Sequence, residues 1–157
     1  MAKPWKIPHI RARDRFSTAA RAILTTRLRE VGSFEESVMT TQDVESVHDM
    51  RIAARRMQAM MGIFQESIQK RKYRNFEKTI RRLIRALGAV RERDVVMSIL
   101  EEYRTNLPAN HRRTLDLLLT RKHLEREHFR VALRRTLAEM RDVQFRKRFM
   151  KFAKNSF

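Results

Sequence analysis

The sequence of 157 residues has no cysteine, only three glycines and three prolines, and half as many acidic residues as basic ones. The absence of cysteine excludes a disulfide framework, a thiolate nucleophile and any cysteine-based zinc or iron–sulfur site. With few chain breakers and 42% hydrophobic residues, the sequence is too apolar to be a disordered basic tail. We expect one folded domain.

Signals for membranes and for catalysis are also missing. No apolar run approaches the roughly 20 residues that span a bilayer, and the first ten residues lack the apolar stretch of a secretory signal. The sequence has no P-loop, no G-x-S-x-G and no H-E-x-x-H motif, and its acids form no obvious metal cluster. We therefore expect a cytoplasmic, non-catalytic protein without cofactor or metal.

Basic charge is the most informative feature that is present. The 36 lysines and arginines against 18 aspartates and glutamates give a net charge of +18, and 27 of the basic residues are arginine. A planar guanidinium group suits bidentate phosphate contacts, whereas lysine acts as a point charge. This composition favours a polyanionic partner.

The spacing of apolar residues predicts an all-α helical bundle of about five helices. Residues 1–9 are expected to form an irregular arm, residues 10–144 the bundle, and residues 145–157 a basic aromatic tail that extends the last helix or frays. The methionines of the second helix are expected in the core. The predicted helices run from about Ile10 to Gly32, from an N-cap at Thr40 or Thr41 to about Ile68, from Tyr73 to Gly88, from Asp94 to Tyr103, and from Leu115 to Met140.

The second predicted helix carries a basic stripe beside its apolar seam. His48, Arg51 and Arg55 recur at i, i+3 and i+7, so they share one face over about 10 Å, and Arg56 widens it. Neighbouring cations repel one another, and the nearest acid on this helix is Asp49. Such a stripe is relieved by bound anions, although His48 taken alone is equally well read as a satisfied, half-buried histidine.

The third predicted helix repeats this pattern. Its basic residues are spaced 4, 3 and 4 along the helix and are flanked by one further arginine; they are Arg74, Lys78, Arg81 and Arg85, with Arg82 at the flank. Residues 51 to 94 hold 13 basic and four acidic residues, a local charge of +9. If the two helices pack antiparallel, their basic flanks meet in a groove that suits a linear polyanion. The alternative is two solvated faces with surface ion pairs.

Two motifs together resemble the conserved histidine α-helical domain, or CHAD, family. The first is a histidine with arginine at +3 and a basic pair at +7 and +8, matched by His48, Arg51, Arg55 and Arg56 within V-H-D-M-R-I-A-A-R-R-M. The second is L-G-x-x-R-D-x-D, matched by Leu87, Gly88, Arg91 and Asp94, with Glu92 in place of an aspartate. Gly88 itself predicts either a helix C-cap or a close helix contact.

The resemblance implies a helical bundle with a basic groove that binds inorganic polyphosphate, and association with polyphosphate granules. The predicted ligand contacts are His48, Arg51, Arg55, Arg56, Arg74, Lys78, Arg81, Arg82, Arg85 and Arg91. Asp94 is predicted to orient arginines, with simple helix capping as the alternative. Family members contain two related four-helix halves and this chain resembles one, so we expect a homodimer.

Two other functions remain open, and one basic region of the chain has no assigned role. A basic helical module also binds RNA or DNA, although few polar or aromatic side chains suited to reading bases lie beside these arginines. A granule scaffold or adaptor would use the same groove. Residues 111–157 carry another +9 without the second motif. Their spacing of His123, Arg126 and Arg130 repeats H-x-x-R-x-x-x-R, which chance explains in a chain so rich in arginine.

Overall fold

The computed structural model of the chain describes residues 3–8, 10–68 and 70–156 and contains no strand within these ranges. The predicted all-α class is confirmed. Five helices have at least eleven residues, in agreement with the expected number. The helices are α1 (Phe16–Ser33), α2 (Glu35–Thr40), α3 (Val44–Ile63), α4 (Lys70–Thr105), α5 (Arg112–Asp142) and α6 (Phe145–Asn155). Single 3-10 turns at Gln65–Ser67 and Ala109–His111 precede α4 and α5.

The four long helices pack as a bundle in which α3 lies against α1 and α4, and α4 lies against α5. Contacts between α4 and α5 show that these two helices are antiparallel. Arg126 of α5 pairs with Asp94 of α4, and Asp116 near the start of α5 pairs with Arg104 near the end of α4. Residue numbers therefore rise along one helix as they fall along the other. Antiparallel packing follows from the short connections between the helices.

The core is rich in methionine along α3, as predicted. Met50, Met57 and Met61 are at most 1% exposed and pack with leucines of α1, α4 and α5. The unbranched methionine side chain fills irregular gaps, so it suits a helix that packs on neighbours at both sides. The apolar face of α3 is thereby fixed inward, and its basic stripe lies beside this buried seam.

One unbroken helix, α4, replaces the two that were predicted on either side of Gly88. Gly88 is no C-cap. It packs against α3, where a Cβ built on it would make an ordinary van der Waals contact with Nε of Arg51 at 3.6 Å. A glycine inside a helix costs only about 1 kcal/mol, which packing against two neighbouring helices outweighs. Asp94 consequently lies inside α4, so its alternative role as a capping residue is wrong.

The connection between α1 and α3 also differs from the prediction, because it contains the short helix α2. Thr40 and Thr41 stand at the end of α2, and neither caps α3. The N-cap is Asp43, whose carboxylate accepts hydrogen bonds from the backbone N–H groups of Glu45 and Ser46 at 3.0 and 3.1 Å. A hydrogen bond from the Ser46 hydroxyl is the main reason that the pKa of Asp43 lies below its ordinary value.

The N-terminal segment has no regular secondary structure over residues 3–8, whereas Met1, Ala2 and His9 lie outside the described residues. We expected helix from about Ile10, but α1 begins at Phe16. The preceding residues form a turn in which the Arg11 N–H donates to the Asp14 carboxylate at 2.8 Å. This hydrogen bond competes with helix formation at the start of the predicted segment.

The C-terminal segment neither extends α5 nor frays over its described residues, up to Ser156; Phe157 lies outside them. Gln144, with a left-handed φ of 49°, separates α5 from α6. The α6 residues Phe145, Phe149 and Phe152 are at most 6% exposed and lie around Phe76 of α4, with ring centroids 4.7 to 5.7 Å apart. These rings belong to the same hydrophobic core as α3 and α4.

Replacing Phe149 tests whether α6 stabilises the bundle. Phe149 is fully buried, so Phe149→Ala is expected to lower the free energy of unfolding by about 3–5 kcal/mol. Leu124→Ala is the control, because Leu124 is 70% exposed and its truncation should change stability by less than about 0.5 kcal/mol. Urea denaturation followed by circular dichroism measures both. Equal midpoints and slopes for the two variants would contradict the position of α6.

Candidate anion-binding site

The two basic stripes lie on helices that pack side by side, α3 and α4. His48 and Arg51 are half-buried, and Arg55 is exposed. Because α3 and α4 are antiparallel and Arg51 lies beside Gly88, Arg55, about one turn further along α3, comes level with Arg85. The predicted stripe residues Arg74, Lys78, Arg81 and Arg85 are all exposed on α4. We call the seam between these stripes the α3–α4 groove.

Two of the predicted ligand contacts form ion pairs with helices outside the groove. Arg56 donates to Glu30 of α1 at 2.9 Å, and this carboxylate is fully buried. Arg82 donates to Glu139 of α5, and this contact holds the pKa of Glu139 below its ordinary value. Arg56 and Arg82 therefore contribute to the packing of α3 on α1 and of α4 on α5.

Two further predicted contacts have acidic partners close to the groove. Arg81 pairs with Glu77 one turn earlier on α4 at 2.6 Å, where the arginine side chain is 56% exposed. Arg91 lies 3.9 Å from Glu45 of α3. Exposed pairs of this kind contribute little to stability, so both arginines keep most of their capacity to bind another anion.

The remaining predicted cations have no carboxylate partner among residues 3–8, 10–68 and 70–156. They are Arg51, Arg55, Arg74, Lys78 and Arg85. Two nitrogens of the α3 stripe are moreover buried without a hydrogen-bond partner in those ranges, Nε of Arg51 and Nδ1 of His48. Such groups cost about 1–3 kcal/mol each when unsatisfied. The α3–α4 groove thus combines unneutralised charge with hydrogen-bonding capacity that the protein itself does not fill.

Acidic groups approach the groove at the N-terminal end of α3. Glu45, His48 and Asp49 each place one ligand atom within 4.8 Å of the others. No metal site was predicted from the sequence, and the grouping by itself does not establish one. Its side chains are exposed or half-buried, and exposed acidic groups commonly cluster without an ion. Their main effect on the groove is to lower its positive charge at the His48 end.

Asp94 orients an arginine of α5, outside the two predicted stripes. Its side chain is fully buried and accepts a hydrogen bond from Nε of Arg126 at 2.5 Å. The same guanidinium donates to the side chain and the backbone carbonyl of Gln42 at 2.9 and 3.2 Å. Asp94 therefore connects α4, α5 and the segment just before α3.

Arg130 reinforces this connection one turn further along α5. It is 1% exposed and donates to the backbone carbonyls of Val38 and Thr41 at the end of α2. Burial is the main cause that lowers its pKa from the ordinary value, followed by the charges of Arg126 and Arg134. A cation near the last carbonyls of a helix is also favoured by the helix dipole.

Sequence reasoning attributed the spacing of Arg126 and Arg130 to chance and missed their role in packing. A usable signal was present, because both arginines share a helix face with Leu119, Leu133 and Leu137. A charged residue within an apolar stripe is costly unless it is paired. The partner of Arg56 was missed for another reason, since no local pattern relates Glu30 to a residue 26 positions away.

Comparison with known protein families shows to which family the chain is similar. A family model described as the CHAD domain covers residues 22–157, which include both motifs and α6. No curated protein and no solved structure matches the chain. Within the described ranges, none of the helices is long and apolar enough to cross a membrane.

Removing the Asp94 carboxylate tests its role in packing. Asp94→Ala removes the buried counterion of Arg126 and leaves it only the half-exposed Glu127 at 3.2 Å, so the free energy of unfolding is expected to fall by about 3 kcal/mol. Combining it with Arg126→Met should recover part of that loss. The control is Glu92→Ala, which removes a 71% exposed partner of Arg93 and should have a small effect. Similar urea curves for Asp94→Ala and the control would show that the pair does not hold α4 to α5.

Proposed function

The chain belongs to the CHAD family, and from this premise we propose that it binds inorganic polyphosphate in the α3–α4 groove without catalysing a reaction. CHAD domains bind polyphosphate in general and are not catalytic in themselves. The observation that carries the proposal for this chain is Arg51, whose Nε is buried beside Gly88 and has no acceptor among the described residues. A phosphate oxygen would satisfy this donor after a small shift of the Arg51 side chain toward the groove.

The cations are arranged in a line that suits an extended chain of phosphates. From Arg74 to Arg85 the α4 stripe covers twelve residues, or about 16 Å of helix. Arg51 and Arg55 line the opposite side of the groove, so successive phosphates meet cations from both helices. Each neutralised phosphate releases condensed counterions, which supplies affinity and makes binding dependent on salt.

The ten predicted contacts play unequal parts in this proposal. We infer that the ligand contacts are made by His48, Arg51, Arg55, Arg74, Lys78, Arg81, Arg85 and Arg91. Arg56 and Arg82 are engaged by carboxylates of α1 and α5, and we infer that they chiefly hold the two helices that form the walls. Asp94 acts through Arg126 and has no direct contact with ligand.

The aromatic residues near the stripes argue against a nucleic acid as the main partner. Phe64 and Tyr73 are 5% exposed, and Phe76 packs against the α6 rings. They offer no open face on which bases could stack. A phosphate chain without bases requires no such face. Cytoplasmic polyphosphate granules would be the site of action, and a role as granule scaffold would use the same groove.

We also propose that the chain forms a homodimer through the second half of α4. On the exposed side of α4 that carries the basic stripe, the sequence changes to Val96, Ile99 and Tyr103, and the last two are 59% and 61% exposed. Residues 94–105 contain three acids and one base, so two copies of this basic protein repel least there. Pairing at this face would align both basic stripes along one surface.

The groove is tested with Arg51→Ala combined with Arg55→Ala. Polyphosphate binding is expected to weaken about tenfold or more near physiological salt, and the salt dependence should flatten by roughly 0.7–0.9 per lost phosphate contact. The matched control is Arg121→Ala with Arg135→Ala on α5, where the arginine side chains are 79% and 82% exposed. Fluorescence anisotropy with labelled polyphosphate measures affinity, and thermal melting confirms folding.

Two outcomes would contradict the proposed function. One is equal loss of affinity in the groove variant and in the control, which would indicate unspecific attraction to the net charge. The other is displacement of labelled polyphosphate by single-stranded RNA or duplex DNA at lower phosphate concentrations than by unlabelled polyphosphate. That result would favour the nucleic-acid module.

The dimer is tested with Ile99→Glu combined with Tyr103→Glu. Light scattering should give twice the chain mass for the wild-type protein and the chain mass for the variant, because four buried carboxylates would repel at the twofold contact. Leu124→Glu on α5 is the control, since Leu124 is equally apolar and 70% exposed. A wild-type monomer, or dissociation only in the control, would refute this interface.

A further inference from the structure

The N-terminal arm, residues 3–8, is held against α1 by a buried ion pair. Arg27 donates to the backbone carbonyl of Trp5 at 2.9 Å, and the Trp5 N–H donates to the Glu30 carboxylate at 3.4 Å. Arg27 and Glu30 also pair with each other. The backbone N–H and C=O of Trp5 are thus both hydrogen-bonded to the ion pair, so backbone contacts fix the position of the arm.

The same carboxylate connects the arm to the first motif. Glu30 accepts from Arg56 of α3 at 2.9 Å as well as from Arg27. Consecutive residues on a helix point about 100° apart. Arg56 therefore faces α1 and the arm, while the exposed Arg55 stands next to it on the outer surface of α3. The arm and the α3–α4 groove consequently flank the same outer face of α3.

The arm carries two exposed basic side chains on either side of an exposed aromatic one. Lys3 and Lys6 are exposed, and Trp5 between them is 43% exposed. The segment that joins the arm to α1 adds three exposed arginines, Arg11, Arg13 and Arg15. Residues 3–15 hold five basic residues and one acid, a charge of +4. An arm that only covered the Arg27–Glu30 pair would need none of these charges.

We propose that the arm is a second part of the polyanion-binding surface. A polyphosphate chain that crosses α3 at Arg55 would contact Lys3 and Lys6 with its next phosphates. This inference rests on the proposed function and extends its site. The family match begins at residue 22, so the arm lies outside the matched range. The anchoring ion pair fixes Trp5, which lies between the two lysines, at Glu30, and Glu30 also contacts Arg56 of α3. An arm fixed in this way loses less entropy on binding than a free one.

The charges of the arm can be removed without disturbing its anchor. Lys3→Ala with Lys6→Ala leaves the Trp5 backbone contacts intact, because neither lysine side chain takes part in them. The matched control is Lys151→Ala with Lys154→Ala on α6, where both side chains are exposed and the same charge is removed. The arm variant should bind long-chain polyphosphate about three- to tenfold more weakly than the control, with unchanged melting temperatures.

Trp5 supplies an independent readout, because it is the only tryptophan of the chain. Its emission should shift during titration with polyphosphate and saturate at the same concentration as anisotropy of the labelled ligand. Arg51→Ala with Arg55→Ala should move this transition to higher polyphosphate concentration. In the Lys3→Ala, Lys6→Ala variant the emission change should be smaller at saturation.

The outcomes separate the arm from the groove. If the wild-type protein binds polyphosphate but the arm variant matches the α6 control and Trp5 emission stays constant, the arm is no part of the site and the proposed function stands. If the wild-type protein binds no polyphosphate, the proposed function and the role of the arm fail together. Weaker binding in the arm variant with a Trp5 response supports the inference.

Discussion

Two buried carboxylates, Glu30 and Asp94, determine how the elements of this basic chain are placed. Glu30 holds arginines of α1 and α3 and the backbone of the N-terminal arm. Asp94 holds Arg126 of α5, which reaches the segment before α3. A carboxylate buried without its cation costs several kcal/mol, so each of these groups favours one arrangement of the helices around it. The hydrophobic core stabilises the bundle, and these pairs select its geometry.

Part of the charge left over by this pairing lies along the outer face of α3 and α4. With 18 acids for 36 bases, half of the cations have no counterion of their own even if every acid is paired. Buried pairs use acids for packing α1 on α3 and α4 on α5. The outer face of α3 and α4 receives few acids, mainly Glu77, Glu92 and the group around His48. Repulsion between Arg51, Arg55 and Arg85 is then relieved most directly by a bound anion.

Periodicity in the sequence was sufficient to predict the helices, the methionine core and both basic stripes, because these depend on side chains three or four residues apart. It failed where distant parts of the chain decide the outcome. Packing against α3 and α5 keeps α4 helical through Gly88, although the low helix propensity of glycine predicts that a helix ends there. The α6 phenylalanines pack against Phe76 of α4 in the core, although their spacing alone was compatible with a frayed C-terminal segment. The acids that engage Arg56 and Arg82 come from other helices, so the stripes could be predicted but not their partners.

The basic pair of the first motif shows why partners matter for function. Arg55 and Arg56 are equivalent in sequence, yet Arg55 is exposed, while Arg56 is bound to a fully buried carboxylate. Under the proposed function, Arg55 contacts ligand and Arg56 sets the position of α3 relative to α1. Since Glu30 also fixes the arm, the orientation of Arg55 and the place of Lys3 and Lys6 depend on one carboxylate. A polyanion would therefore meet both basic segments in a fixed relation, without ordering either of them on binding.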